Sequence, residues 1–198
     1  MANKTNRKLW ADYLEKKTKN PAAISNVSNT QSLGASFSGV VLGIDPSLRG
    51  AGFSVIRYEK AKAELLDKAT LKLGQKFTMV ECLGKIAKQV KSLINNHTID
   101  HVAIEQTIYV QNFQVAQIMG AAKGAAMAPA AMQGLPIFEY APLRIKQAIV
   151  GNGRASKEQV AKMVGGFLNV DFKKAYDESD ASAVAMCHAF TWRADTKK

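Results

Sequence analysis

Acidic residues are scarce in this chain. Its 198 residues carry 16 Asp and Glu against 27 Lys and Arg, for a formal charge of +11 and a pI near 9.7. That imbalance points to a polyanionic partner, nucleic acid first and an acidic membrane surface second. Cysteine is nearly absent. Cys82 and Cys187 lie far apart with no CxxC spacing, which argues against a zinc site or a disulfide framework and fits a reducing cytosol. Long hydrophobic runs are missing too. The nearest approach, residues 115–132, is interrupted by Gln117 and Lys123 and is marginal in length for a bilayer, so it reads as a helix packed closely through small residues rather than a membrane span. The N-terminus lacks the apolar core of a secretory signal and has less Arg than an organellar transit peptide. No Gly-Lys-Ser/Thr follows the glycines of residues 151–156 at Walker A spacing, so ATP hydrolysis is not supported.

What is present falls into three parts. Residues 1–38 carry Lys4, Arg7, Lys8, Lys16, Lys17 and Lys19 against Asp12 and Glu15, and end in a stretch rich in Ser, Asn, Ala and Gly. They read as a basic N-terminal arm and linker, with Leu9, Trp10, Tyr13 and Leu14 able to form one face of a short helix. Residues 39–192 alternate strand and helix patterns, which indicates an α/β domain, and 193–198 form a short tail. Within the domain, two apolar runs across the turn after Asp45 predict a hairpin, and residues 63–72 read as a third strand, with a pattern also compatible with a short helix. The spacing of Val80, Leu83, Ile86, Val90 and Leu93 predicts a helix over 78–96 with Thr78 as N-cap and Lys85, Lys88 and Lys91 on its polar face. Residues 102–104 form a buried strand. Residues 112–133 form a long helix that Pro129 should kink or end, packed on the sheet or against a second subunit. A strand over 136–140, a basic helix over 142–150 and a Ser156-capped helix over 157–168 follow. Cys187 and His188 point to different faces of the last helix and read as structural.

The acids are few but pointedly placed. Asp45 ends one core strand and Glu105 ends another, the position where open sheets gather functional groups. Asp177 and Asp180, three residues apart, share a face at the start of the last helix. An acid beginning a turn or a helix is ordinary, and any one of these would mean little. As a set in a basic protein they favour hard-cation chemistry: Mg²⁺ or Mn²⁺ on carboxylate oxygens. Two such ions clamp the attacking water and the leaving oxygen of a phosphoryl displacement. The expectation is a metal-dependent nuclease.

Five segments then carry a family resemblance. They are Gly43-Ile-Asp-Pro-Ser-Leu-Arg-Gly-Ala-Gly52, Ala103-Ile-Glu-Gln106, Phe138-Glu-Tyr-Ala-Pro-Leu-Arg-Ile-Lys-Gln147, Val150-Gly-Asn-Gly-Arg-Ala-Ser-Lys157 and Asp177-x-x-Asp-Ala-x-Ala183. In this order they resemble the RuvC family of Holliday-junction resolvases, from about Val40 to Phe190. The resemblance implies an RNase H-like fold, a five-stranded mixed sheet flanked by helices, acting as a homodimer. It implies Asp45, Glu105, Asp177 and Asp180 as metal-binding catalytic carboxylates, with Lys157 as a further catalytic group. It implies DNA contacts by Lys146, Lys157, Arg144, Arg154 and Tyr109.

 The four carboxylates are thus expected to work together, with two Mg²⁺ ions in each active site and Mn²⁺ able to substitute. Paired symmetric nicks across a four-way junction, leaving 5′-phosphate and 3′-hydroxyl ends, are the implied activity, in recombination and repair. The implied partners are junction DNA and the RuvA–RuvB branch-migration complex, with no membrane, in the cytoplasm at the nucleoid. Ser47 stands where the family commonly has Gly, and Ile108-Tyr109 where a Phe is typical at the first position. Competing expectations are an RNase H-like nuclease with another substrate and a non-catalytic junction-binding protein.

Overall fold

A computed structural model describes residues 37–59, 62–107, 112–172 and 175–193. Three antiparallel strands open the domain: β1 (Gly39–Asp45), β2 (Gly50–Glu59) and β3 (Lys62–Lys72). Helix α1 (Met79–Asn96) leads to β4 (His101–Glu105), which pairs parallel to β1. Helix α2 (Phe113–Met132) leads to β5 (Ile137–Tyr140), parallel to β4. Helices α3 (Pro142–Val150), α4 (Lys157–Leu168) and α5 (Tyr176–Thr191) complete the chain. The sheet is five-stranded and mixed, in the order β3-β2-β1-β4-β5.

Strand alternation divides the core in two. Leu42, Ile44, Phe53, Val55, Val102 and Ile104 face α1 and α2. Val41, Ile56, Tyr58 and Ala103 face α3, α4 and α5. Helix α5 is the central element of the second layer: Ala181 to Ala189 are all buried. Cys187 and His188 lie in that buried run, as expected of structural residues.

The local signals act as their chemistry predicts. Thr78 Oγ1 accepts from the Glu81 N–H, while a Glu81 carboxylate oxygen accepts from the Thr78 N–H, closing a capping box at α1. Ser156 and Gln159 do the same at α4.

Helix α2 spans nearly the whole of the expected 112–133 and passes through Pro129, rather than ending there, to Met132. One expectation needs correction. Phe37 and Ser38, assigned to the arm, join the folded domain. The Phe37 ring is buried against His101, His188 and Trp192, and its N–H donates to the Ala189 carbonyl at 3.3 Å. The rest of the arm lies outside the described residues. Among the described residues, no helix is long and apolar enough to cross a membrane.

Candidate active site

Asp45 and Glu105 are the last residues of β1 and β4. These strands run parallel with Ile44 beside Ile104, so both acids emerge at one edge of the sheet. Ile44 and Ile104 are buried toward α1 and α2. Alternation therefore turns Asp45 and Glu105 to the other side, toward α5.

The third acid arrives on that helix, which needs a floor without side chains. A Cβ on Gly52 would lie 2.0 Å from the Asp177 carbonyl oxygen, and one on Gly43 would lie 2.2 Å from that of Ala181. Glycine at both positions lets the first turns of α5 rest directly on β1 and β2. The buried Ser182 hydroxyl donates to the Glu178 carbonyl at 2.8 Å and accepts from the Ser54 hydroxyl at 2.8 Å, stitching the helix to β2, and Lys68 on β3 pairs with Glu178.

The result is a cleft of about 300 Å³ lined by Asp45, Glu105, Asp180, Lys146 and Lys157, with Gln106 and Thr107 at the end of β4. Burial, then the charges of Glu105 and Asp180, push the Asp45 carboxyl up to about 8. Burial also raises Glu105 and Asp180, in both cases against the opposing pull of Lys157 and Lys146. The Lys157 ammonium donates to Asp180 Oδ2 at 3.0 Å, and this hydrogen bond holds its own pKa up. The site thus gathers negative charge in a place that resists it.

Lys157 is presented by a tightly built turn. Gly151 takes the left-handed conformation (φ 76°) that ends α3. The Gln147 side chain donates to the Gly151 carbonyl at 2.8 Å and accepts from the Gly153 N–H at 3.2 Å. Ser156 then caps α4, and Lys157 is its first residue.

Three of the four expected carboxylates line the cleft; Asp177 does not. Its carboxylate turns toward Gly50, one turn before Asp180, and its charge is felt by Asp45, Asp180 and Lys157. Of the expected DNA contacts, Lys146 and Lys157 line the cleft. The Arg144 guanidinium lies over the Tyr140 ring, 5.3 Å from its centroid, and Arg154 is exposed on the turn before α4. Tyr109 and Ile108 lie outside the described residues.

Sequence reasoning missed Arg49. Its guanidinium donates to the carbonyls of Gly74 at 2.7 Å and Phe77 at 3.1 Å, tying the turn after Asp45 to the loop before α1. No spacing rule links residues so far apart. Gln106 and Thr107 directly follow Glu105, and that adjacency was the signal available for them.

The sequence model of the crossover junction endodeoxyribonuclease RuvC matches residues 41–188. The chain belongs to the RuvC family. A RuvC relative from Halorhodospira halophila is 41% identical over 149 residues, 75% of this chain and 89% of the relative. One from Alkaliphilus metalliredigens is 38% identical over 151 residues, 76% of this chain and 92% of the relative. The structure of Thermus thermophilus RuvC in complex with a Holliday junction substrate is similar with a TM-score of 0.71 and 34% identity, covering 77% of this chain and 93% of that one. The RuvC-like part is therefore the domain from β1 to α5, an RNase H-like fold.

The donors of this RuvC-family cleft are hard carboxylate oxygens, which suit a small divalent cation. A cation would also offset the mutual repulsion that raises Asp45. As they stand, no three Asp, Glu, His or Cys side chains among the described residues are gathered tightly enough to hold one ion. The Lys157 ammonium occupies Asp180, and Asp177 is turned aside. The chemistry of the donor set fits; its closure around an ion requires side-chain movement.

Proposed function

We propose that this chain resolves four-way DNA junctions by paired, symmetric hydrolytic nicks, one from each subunit of a homodimer. The observation that carries the reading is the convergence of Asp45, Glu105 and Asp180, from three separate elements, on one cleft shared with Lys146 and Lys157. Asp45, Glu105, Asp177 and Asp180 would hold Mg²⁺, two ions per site, with Mn²⁺ able to substitute. When bound, the metal supplies charge neutralisation and activation of water.

The chain's own residues do the rest. Lys146 and Lys157 hold the phosphate backbone over the acids, and Arg144 and Arg154 extend that grip from α3 and the following turn. Lys157, which donates to Asp180, would exchange that bond for a phosphate oxygen, leaving the carboxylate able to hold a cation. Cleavage leaves 5′-phosphate and 3′-hydroxyl ends that a ligase can seal. Of the loop after Glu105, Tyr109 or Ile108 would act at the junction centre, Tyr109 by stacking on bases or wedging between them.

Helix α2 supports the dimer. Ala122, Ala126 and Ala130 are buried in the core that α2 shares with α1, while Phe113, Val115 and Ile118 are exposed and nothing lies within 4 Å of a Cβ at Gly120 or Gly124. An apolar face with small residues suits a second copy of the same helix. The RuvA–RuvB complex is the expected partner in the cell, and the cytoplasm the expected compartment, where Cys82 and Cys187 stay free thiols.

The test is cleavage of a labelled four-way junction beside linear duplex and RNA–DNA hybrid, with Mg²⁺ and with chelator. Paired, metal-dependent nicks confined to the junction are expected. Preferential hybrid cleavage would replace the substrate, and tight binding without nicks would make this a junction-binding protein.

A further inference from the structure

The catalytic edge of the sheet does not stop at the cleft. Asp45 pairs with Gly52, and Gly52 with Thr70, so β3 reaches the same edge two strands away. Its last residue, Lys72, pairs with Gly50 and is exposed. By alternation Lys72 shares a strand face with Lys68, which pairs with Glu178 on α5, so it projects on the side of the sheet that carries the acids.

The loop that follows adds two more cations. The Lys76 ammonium lies 5.3 Å and the Lys85 ammonium 4.6 Å from the centroid of the Phe77 ring. A ring face holds an ammonium in place without neutralising it. Both ammoniums are therefore gathered at one ring. The nearest acid in sequence, Glu81, accepts from the Thr78 N–H and hydroxyl, both at 2.8 Å, and also feels the charge of Lys85 one turn along α1.

The loop is anchored to the active-site turn. Arg49 donates to Gly74 and Phe77, and the Leu73 N–H donates to the Arg49 carbonyl at 2.9 Å. The turn after Asp45 and the loop that carries Lys76 and Phe77 are thus held together. None of the junction chemistry described above uses them.

We propose that Lys72 at the end of β3, with Lys76 and Lys85 at the Phe77 ring, forms a second phosphate-contact surface that holds the duplex arm leaving the catalytic cleft. The inference rests on the junction-cleaving reading and extends it. Two strand spacings and two residues of strand put Lys72 about 12 Å from Asp45. With a rise of about 3.4 Å per nucleotide, the contacted phosphates lie about three to six nucleotides from the nick.

The experiment compares wild type with the Lys72→Gln, Lys76→Gln, Lys85→Gln triple variant, full-length, binding a synthetic four-way junction in chelator across a salt titration. Losing about three phosphate contacts should weaken binding roughly tenfold and make the log–log salt slope shallower by about two to three. Neutral methylphosphonates placed three to six nucleotides from the nick should weaken wild type and leave the variant unaffected. A Lys→Arg triple variant should keep both the affinity and the slope, which separates charge from folding. Nicking at saturating junction with Mg²⁺ should stay at the wild-type rate. Equal affinity and slope in the Gln variant overturn the surface and leave the nicking assignment intact. A wild type that does not nick the junction overturns both.

Discussion

Asp45 carries the largest conflict in the domain, a carboxyl pushed up to about 8 by burial and by its acidic neighbours. Because its folded pKa lies above the unfolded value, the native state holds the extra proton, and stability falls as pH rises from about 4 to about 8. Asp45→Asn should therefore stabilise the metal-free protein by about 1–2 kcal/mol at pH 8 and by much less at pH 5. Denaturant unfolding in chelator at both values measures this. The same variant should lose nicking by about a thousandfold while still binding junctions, since it removes a metal-binding oxygen rather than a DNA contact. Retained nicking would remove Asp45 from the mechanism. Gly52 makes a different demand, for space. Gly52→Ala sets a methyl against the Asp177 carbonyl and should cost about 1–3 kcal/mol and most of the activity. Gly84→Ala, on the open face of α1 with nothing within 4 Å, should instead stabilise by about 0.5–1 kcal/mol.

Between elements, α5 is locked to the sheet by a buried polar chain as well as by apolar packing. Tyr140 Oη meets His188 Nδ1 at 2.8 Å, and His188 Nε2 meets His101 Nδ1 at 2.9 Å, joining β5, α5 and β4. Burial, then the nearby His101, lowers His188 to about 4. Here the unfolded chain takes up the proton first as pH falls. The stability held by the neutral imidazole is complete above about 6.5 and is lost as pH falls toward about 4, a change on the order of 3 kcal/mol. Urea unfolding at pH 7 and pH 4.5 should show that loss in wild type and a flatter acid limb in His188→Gln. Equal acid limbs would mean that the chain tolerates a proton.

For the whole molecule, the question is where the arm ends and the domain begins. Phe37 is buried beneath Trp192 and His101 although it lies before the first strand. Deleting residues 1–36 should leave the melting temperature unchanged and weaken junction binding in a salt-dependent way, because the basic residues of the arm are lost. Deleting 1–38 should also remove the Phe37 anchor and cost about 3–5 kcal/mol, the scale of a buried Phe truncated to nothing. Thermal melts of the two truncations separate these effects. Affinity unchanged from wild type across the salt titration in the 1–36 truncation would make the arm inert.

Local chemistry was legible from residues alone: Thr78 and Ser156 as caps, Asp45 and Glu105 at strand ends, α3 over residues 142–150. Each depends on neighbours within a few positions, where periodicity and capping operate. The RuvC family was legible too, because five ordered motifs span the domain. What tertiary structure decided was distance. It brought Asp180 beside Lys157, turned Asp177 out of the cleft, and drew Phe37 into the core. It also tied Arg49 to a loop about 25 residues away, a contact set by the hairpin's return and not by any local propensity. Positions close in sequence share a face by backbone geometry, whereas those far apart meet only once the sheet has chosen its order.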